Sequence, residues 1–200
     1  MKKLLFWVSA ILIFIFWPVS FFLANNNAWS QIFVGTQTIF TPDPLAIDIQ
    51  STKISLIPNR NLARIYENKT TIPLDKFKSN VFVSLDLNNY FFSLHPQEII
   101  GGLNLTKYPY LAIIPFLVGL YFFSENKLRK WILCTFIVAV LSLAFINRQD
   151  KFDILLYFPV SAICLHGLRK IYTSSVIFYF FSSVFIPIST IEFLRIIFAK

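Results

Sequence analysis

The sequence predicts an all-α polytopic membrane protein, with about five transmembrane helices and a mixed extracytoplasmic segment between the first and the second. Three observations carry this. Of 200 residues, 56% are hydrophobic and 24 are Phe, at a mean hydropathy of +0.64. A water-soluble fold of that length buries only part of its surface and has no room to hide so many rings. Charged residues make up 14%, about half the usual share. The apolar residues also fall into separate runs near spanning length. Gly at 5 and Cys at 2 exclude a collagen-like repeat and a disulfide scaffold. The organisation that follows is an N-terminal transmembrane anchor over 1–24, an extracytoplasmic segment over 25–107 and a four-helix transmembrane region over 108–200.

The first run, Leu4 to Leu23, covers about 20 residues, which as a helix crosses about 30 Å of hydrocarbon. Lys2 and Lys3 precede it. A cleaved signal has the same charged start but a shorter apolar core and a small-residue cleavage site. Ala24-Asn25-Asn26 does not supply that site, so the run reads as an uncleaved anchor.

Residues 25–107 differ in kind, with seven basic residues (Lys53, Arg60, Arg64, Lys69, Lys76, Lys78, Lys107) against six acids (Asp43, Asp48, Glu67, Asp75, Asp86, Glu98). Leu45, Ile47 and Ile49 alternate with Ala46 and Asp48, and Ile54 and Leu56 with Lys53 and Ser55; both pieces predict short strands or extended chain. After Pro73 the period becomes helical. Leu74, Phe77, Val81 and Leu85 form a stripe, with Lys76, Lys78 and Asn80 off it, and Pro73 suits a first helical turn. Such a helix, running to about Phe92, either lies along the membrane surface or packs its stripe on the neighbouring spans.

Four further runs follow: Tyr108 to Phe123, Trp131 to Ile146, Ile154 to Leu168, and Val176 to about Leu194. Tyr108, Tyr110, Trp131 and Tyr172 sit near run ends, where aromatic side chains anchor at the interface. Cys134 and Cys164 fall inside runs and read as small buried hydrophobes; no metal-ligand spacing accompanies them.

The net charge of +8 follows the membrane grammar and does not point to nucleic acid. With the N-terminus inside, the cytoplasmic pieces carry Lys2, Lys3, Lys127, Arg129, Lys130, Arg169 and Lys170 against the single acid Glu125. The short outer loop from Asn147 to Asp153 balances Arg148 and Lys151 with Asp150 and Asp153. The expected location is therefore a membrane, of the bacterial cytoplasmic type, with residues 25–107 outside.

The spans hold few ionisable groups. His166 reads as an interfacial residue, and Glu192 and Arg195, three apart, can pair along one helix face. Two clusters can carry chemistry. The loop Asn147-Arg148-Gln149-Asp150-Lys151-Phe152-Asp153 offers Arg148 and Lys151 to a lipid phosphate, or is a self-neutralising turn. The stretch from Asp86 to Glu98 brings Asp86, His95 and Glu98 beside Tyr90, Phe91 and Phe92, a mixture suited to a sugar or headgroup, or to anchoring at the interface.

The run from Arg148 to Pro159, with Gly167 beyond it, resembles a late segment of the GT-C superfamily of membrane glycosyltransferases, in the branch of protein mannosyltransferases and the lipid A aminoarabinose transferase. There an Arg/Lys-Tyr-Leu-Leu-x-x-Pro pattern leads into a span that often ends in Gly. A second stretch is similar to an outer loop and the span after it: Leu62 to Lys69, Phe77 to Asn80, Asp86, Tyr90-Phe91-Phe92, His95-Pro96, then Pro115 to Leu120. Together these cover roughly residues 60 to 168. The resemblance implies a chain like the C-terminal part of an enzyme that takes sugar from a polyprenyl-phosphate donor, with Arg148 and Lys151 at the donor phosphate and Asp86, His95 or Glu98 lining the acceptor side. No cofactor is implied. The family has about a dozen spans and a catalytic acid motif in its first outer loop; here that loop offers only Asp43 and Asp48, so the N-terminal catalytic half is expected to be lacking. A truncated relative or a subunit beside a membrane partner fits this, and so does a non-enzymatic scaffold or assembly protein.

The charge alternation makes a direct prediction. Single cysteines placed at Ser51 and Gln149 should react with a membrane-impermeant label from outside, and one at Asn126 should not. Labelling at Asn126 in intact cells overturns the orientation.

Overall fold

The computed structural model describes residues 1–24, 38–41, 44–58, 70–92, 99–100, 103–104, 106–146 and 153–198. Among them the regular elements are helices, apart from a two-residue antiparallel pair, β1 (Ile99–Ile100) with β2 (Leu103–Asn104), and an isolated bridge between Thr38 and Ile146. The helices are α1 (Lys2–Ala24), α2 (Pro44–Leu56), α3 (Thr71–Leu85), α4 (Asn88–Phe91), α5 (Ile113–Tyr121), α6 (Arg129–Ala144), α7 (Tyr157–Thr173) and α8 (Ser175–Phe198). Three stretches are long and apolar enough to cross a membrane: Lys2–Ser20, Ile154–Thr173 and Ser175–Phe198. That is the mark of an integral membrane protein, with fewer such helices than the five expected. The run from Tyr108 is divided into a 3₁₀ turn, Tyr110–Ala112, the nine residues of α5 and a second 3₁₀ turn, Phe123–Glu125. α6 has 16 residues and begins on Arg129 and Lys130.

The extended pieces expected near Leu45 and Ile54 are instead helix α2. Pro44 occupies its first position, where a missing N–H costs nothing. Ile47, Ile49 and Leu56 are all exposed, so the alternation serves no half-buried sheet face. Ser51 and Thr52 hydroxyls donate to the Asp48 carbonyl, and Ser55 to that of Thr52, which fits them into the helix.

α1 runs alongside α8 in the same sense. Lys2 Nζ donates to Ser175 Oγ at 2.8 Å near one end, and Phe16 meets Phe193 at 5.9 Å further along. α1 is antiparallel to α7, with Phe6 on Tyr172 and Phe14 on Tyr157. Pro18 lies inside α1 and has no N–H to offer the carbonyl four residues back, that of Phe14. Tyr157 of α7 fills the gap: its hydroxyl donates to Phe14 O at 2.7 Å.

The tightest contact is between α5 and α7, which run the same way. A Cβ at Gly119 would run into the Ile163 carbonyl, and one at Gly167 into the carbonyl of Pro115 and the amide of Gly119. The two backbones therefore touch. In lipid, where helices gain nothing from leaving water, small residues that permit such approach are what holds helices together. Gly167, the residue at the end of the resembling span, thus has a packing role. α6 buries Ile132, Ala139, Val140, Leu143 and Ala144 along one stripe and exposes Leu133, Ile137 and Leu141 on the other, the pattern of a helix with one apolar face on the bundle and one left uncovered. Cys164 is buried in α7, but Cys134 is exposed on α6, a correction to the expectation that both are buried.

Because the atoms in the way at Gly167 belong to the backbone, no rotamer change makes room. Gly167→Leu should cost at least the roughly 1–3 kcal/mol of ordinary overpacking and lower the melting temperature in detergent. A variant that melts with wild type shows that α5 and α7 do not touch there.

Candidate functional site

The two ends of the bundle are built differently. At the end holding the N-terminus, Lys170 pairs with Glu125 and lies over the Phe122 ring at 4.9 Å, and His166 Nε2 is 3.0 Å from the Phe122 carbonyl. At the opposite end residues 70–92 and 106–108 fold onto the helices.

That docking begins with α3. Phe77 meets the Phe145 ring edge-on at 5.3 Å, Val81 packs on the core, and Ser84 is buried. Of the two placements open from the sequence, the stripe packs on a neighbouring helix; its outer members Leu74 and Leu85 remain exposed. Asn80, expected off the stripe, belongs to the contact. Its amide donates to Ala144 O at 3.1 Å and Ile146 O at 2.9 Å. The last carbonyls of a helix have no partner of their own, so Asn80 caps α6 from outside. The Ile39 amide donates to Phe145 O at 3.1 Å and completes the cap.

α3 ends at Asp86, whose Oδ1 accepts the Asn88 amide at 2.9 Å and so starts α4. Asn89, Tyr90 and Phe91 of α4 are all buried. The Tyr90 hydroxyl donates to Ser84 O, and Tyr90 O accepts the Tyr108 amide at 3.0 Å. The chain at 106–108 is thereby drawn between α1 and α4, and Ser20 Oγ of α1 donates to Thr106 O at 3.0 Å. Lys107, 6% exposed, donates to Asn89 Oδ1 and has its ammonium 5.7 Å from the Trp17 ring and 5.6 Å from that of Tyr90. Cation–π attraction and a charge-assisted hydrogen bond hold this cation where water is scarce. Tyr108, expected as an interfacial anchor, is fully buried, with its hydroxyl 2.7 Å from Ser161 Oγ and donating to Tyr157 O at 3.1 Å. Glu192 takes the Tyr110 amide at 3.2 Å rather than pairing with Arg195. An amide at a helix start lacks an internal acceptor, and a carboxylate suits it.

Of the sequence candidates, Asp86 is thus a turn-forming residue beside the buried α4. His95 and Glu98, and the cations Arg148 and Lys151, lie outside the described residues. Their flanks are described: Phe92 follows α4, and Ile146 and Asp153 stand on either side of residues 147–152. Lys107, Asn89 and Trp17 escaped sequence reasoning. Lys107 counted as one cation of a balanced segment; its place directly before Tyr108-Pro109-Tyr110, at the edge of an apolar run, was the available signal. Among the described residues no three of His, Cys, Asp and Glu come together as a metal site.

Comparison of the chain with family models, with curated proteins and with solved structures gives no match in any of the three.

The α3–α6 contact is open to a test. Phe77→Asp sets a carboxylate against Phe145 and should cost on the order of 2–4 kcal/mol, read as a lower melting temperature in detergent. Unchanged melting shows that this face of α3 is not held.

Proposed function

We propose that this membrane protein handles a lipid-linked sugar, as a reduced relative or a partner subunit of polyprenyl-phosphate-dependent glycosyltransferases, crossing the membrane five times with the N-terminus inside. One observation carries the reading. The two segments that resemble such enzymes, distant in sequence, are rooted at the same end of the bundle: Asn80 is bonded to the carbonyls of Ala144 and Ile146, immediately before the loop of Arg148 and Lys151. Asp86 follows on the same docked helix. In this reading Arg148 grips a phosphate through two hydrogen bonds and Lys151 adds a point charge, while His95, Glu98 and the free carboxylate edge of Asp86 face the acceptor. A polyprenyl phosphate carries its headgroup at the depth where such a loop would leave α6.

A scaffold reading has its own support. Asp86, Asn80, Asn89, Tyr90 and Glu192 all direct polar atoms to bonds within the chain. The experiment that separates the two is binding of a short-chain polyprenyl phosphate to purified protein, with Arg148→Ala and Lys151→Ala beside wild type. The sugar-transfer reading expects each substitution to weaken binding by about tenfold, the effect of losing one charge-assisted contact. Equal affinity in all three proteins, or none, leaves the scaffold.

A further inference from the structure

The basic end of the bundle carries a feature separate from the outer segment. Between α1, the start of α6 and α7 lies a groove of about 480 Å³. Phe6, Ala10 and Phe14, one turn apart along α1, form one wall; Ile132 and Ala162 stand on the others. From Phe6 to Ile15 the wall runs about 13 Å along the helix axis. Two of the three helices are ones long and apolar enough to span, so the groove lies at hydrocarbon depth. Water gains nothing there, and an acyl chain does.

The polar end of the groove is chemically one-sided, being lined by Asn126, His166 and Arg169. Asn126 lines the groove, and its Oδ1 accepts the Leu128 amide at 2.9 Å, so the donors of its NH₂ are what it has to offer. His166 uses Nε2 toward Phe122 O and keeps its second ring nitrogen. Arg169 is exposed and makes no ion pair among the described residues. The one acid of the connectors at this end, Glu125, is taken by Lys170. The rim therefore presents a guanidinium, an amide NH₂ and an imidazole, and no carboxylate. Insertion bias explains cations at this end of a membrane protein; it does not explain why one of them lines the mouth of an apolar groove that fits a chain.

We infer that this groove is a binding site for an anionic glycerophospholipid of the leaflet at the basic end, one acyl chain lying along Phe6 to Phe14 and the phosphate at Arg169. A guanidinium binds phosphate oxygens through two parallel hydrogen bonds, which a diffuse surface charge does not. The site is at the far end of the bundle from the contact of Asn80 with the Ala144 and Ile146 carbonyls, and the inference does not rest on the sugar-transfer reading, so the failure of either is distinguishable.

The test uses the full chain, released from detergent into native mass spectrometry with equimolar phosphatidylglycerol and phosphatidylcholine. Wild type should retain one phosphatidylglycerol in preference to phosphatidylcholine. Arg169→Gln, an exposed change that leaves packing intact, should reduce that preference roughly tenfold while keeping the monomer folded. Ala162→Trp should fill the groove and remove bound lipid of both kinds. Equal retention of the two lipids by wild type, an undiminished preference in Arg169→Gln, or a lipid-free dimer in place of the loaded monomer overturns the inference.

Discussion

The approach of α5 to α7 at Gly119 and Gly167 is the constraint on which the rest of the structure depends. α5 has nine residues, too few to be held by its own length. Backbone contact supplies what length does not. Once α5 is fixed against α7, both of its ends are fixed too: Glu125 reaches Lys170 on one side, and Tyr108 reaches Ser161 and the Tyr157 carbonyl on the other.

Tyr108 then determines where α3 and α4 come down on the bundle. Its amide holds the Tyr90 carbonyl, its ring meets Trp17 at 5.2 Å and Phe91 at 5.6 Å, and its neighbour Lys107 is drawn in beside Asn89. Through α4 and the Asp86 turn, α3 is placed along α6, where Asn80 satisfies carbonyls that α6 cannot satisfy alone. A few polar bonds, each at a point where a helix end leaves a backbone group without a partner, therefore couple α3 and α4 to the helices of the bundle.

Much of the membrane part was legible in the sequence because lipid imposes simple rules on it: the apolar runs mark α1, α7 and α8, and the basic connectors mark one end. The residues between α1 and α5 obey no such rule. The alternation around Leu45 to Leu56 is too short to distinguish strand from helix, and Pro44 at the first helical position decided it. Asn80 and Lys107 take their meaning from partners on other elements, the α6 carbonyls and the rings of Trp17 and Tyr90, and no local pattern announces them. Tyr108 misled for the same reason: an aromatic at a run end fits an interfacial anchor and a core residue equally, and only Ser161 separates them.

The bond from Tyr157 to the Phe14 carbonyl has a consequence for biosynthesis. α1 emerges from the ribosome first, and Pro18 leaves it with a carbonyl that nothing within α1 can satisfy. Its partner is some 140 residues further along the chain. Until α7 is made, a helix like this placed in hydrocarbon would carry a polar group with no partner. Nascent α1 is thus better accommodated at a lateral gate, beside water and insertion machinery, than released into open bilayer. Tyr157 of α7 supplies the missing donor, so α1 reaches its full hydrogen-bond complement only when α7 packs against it.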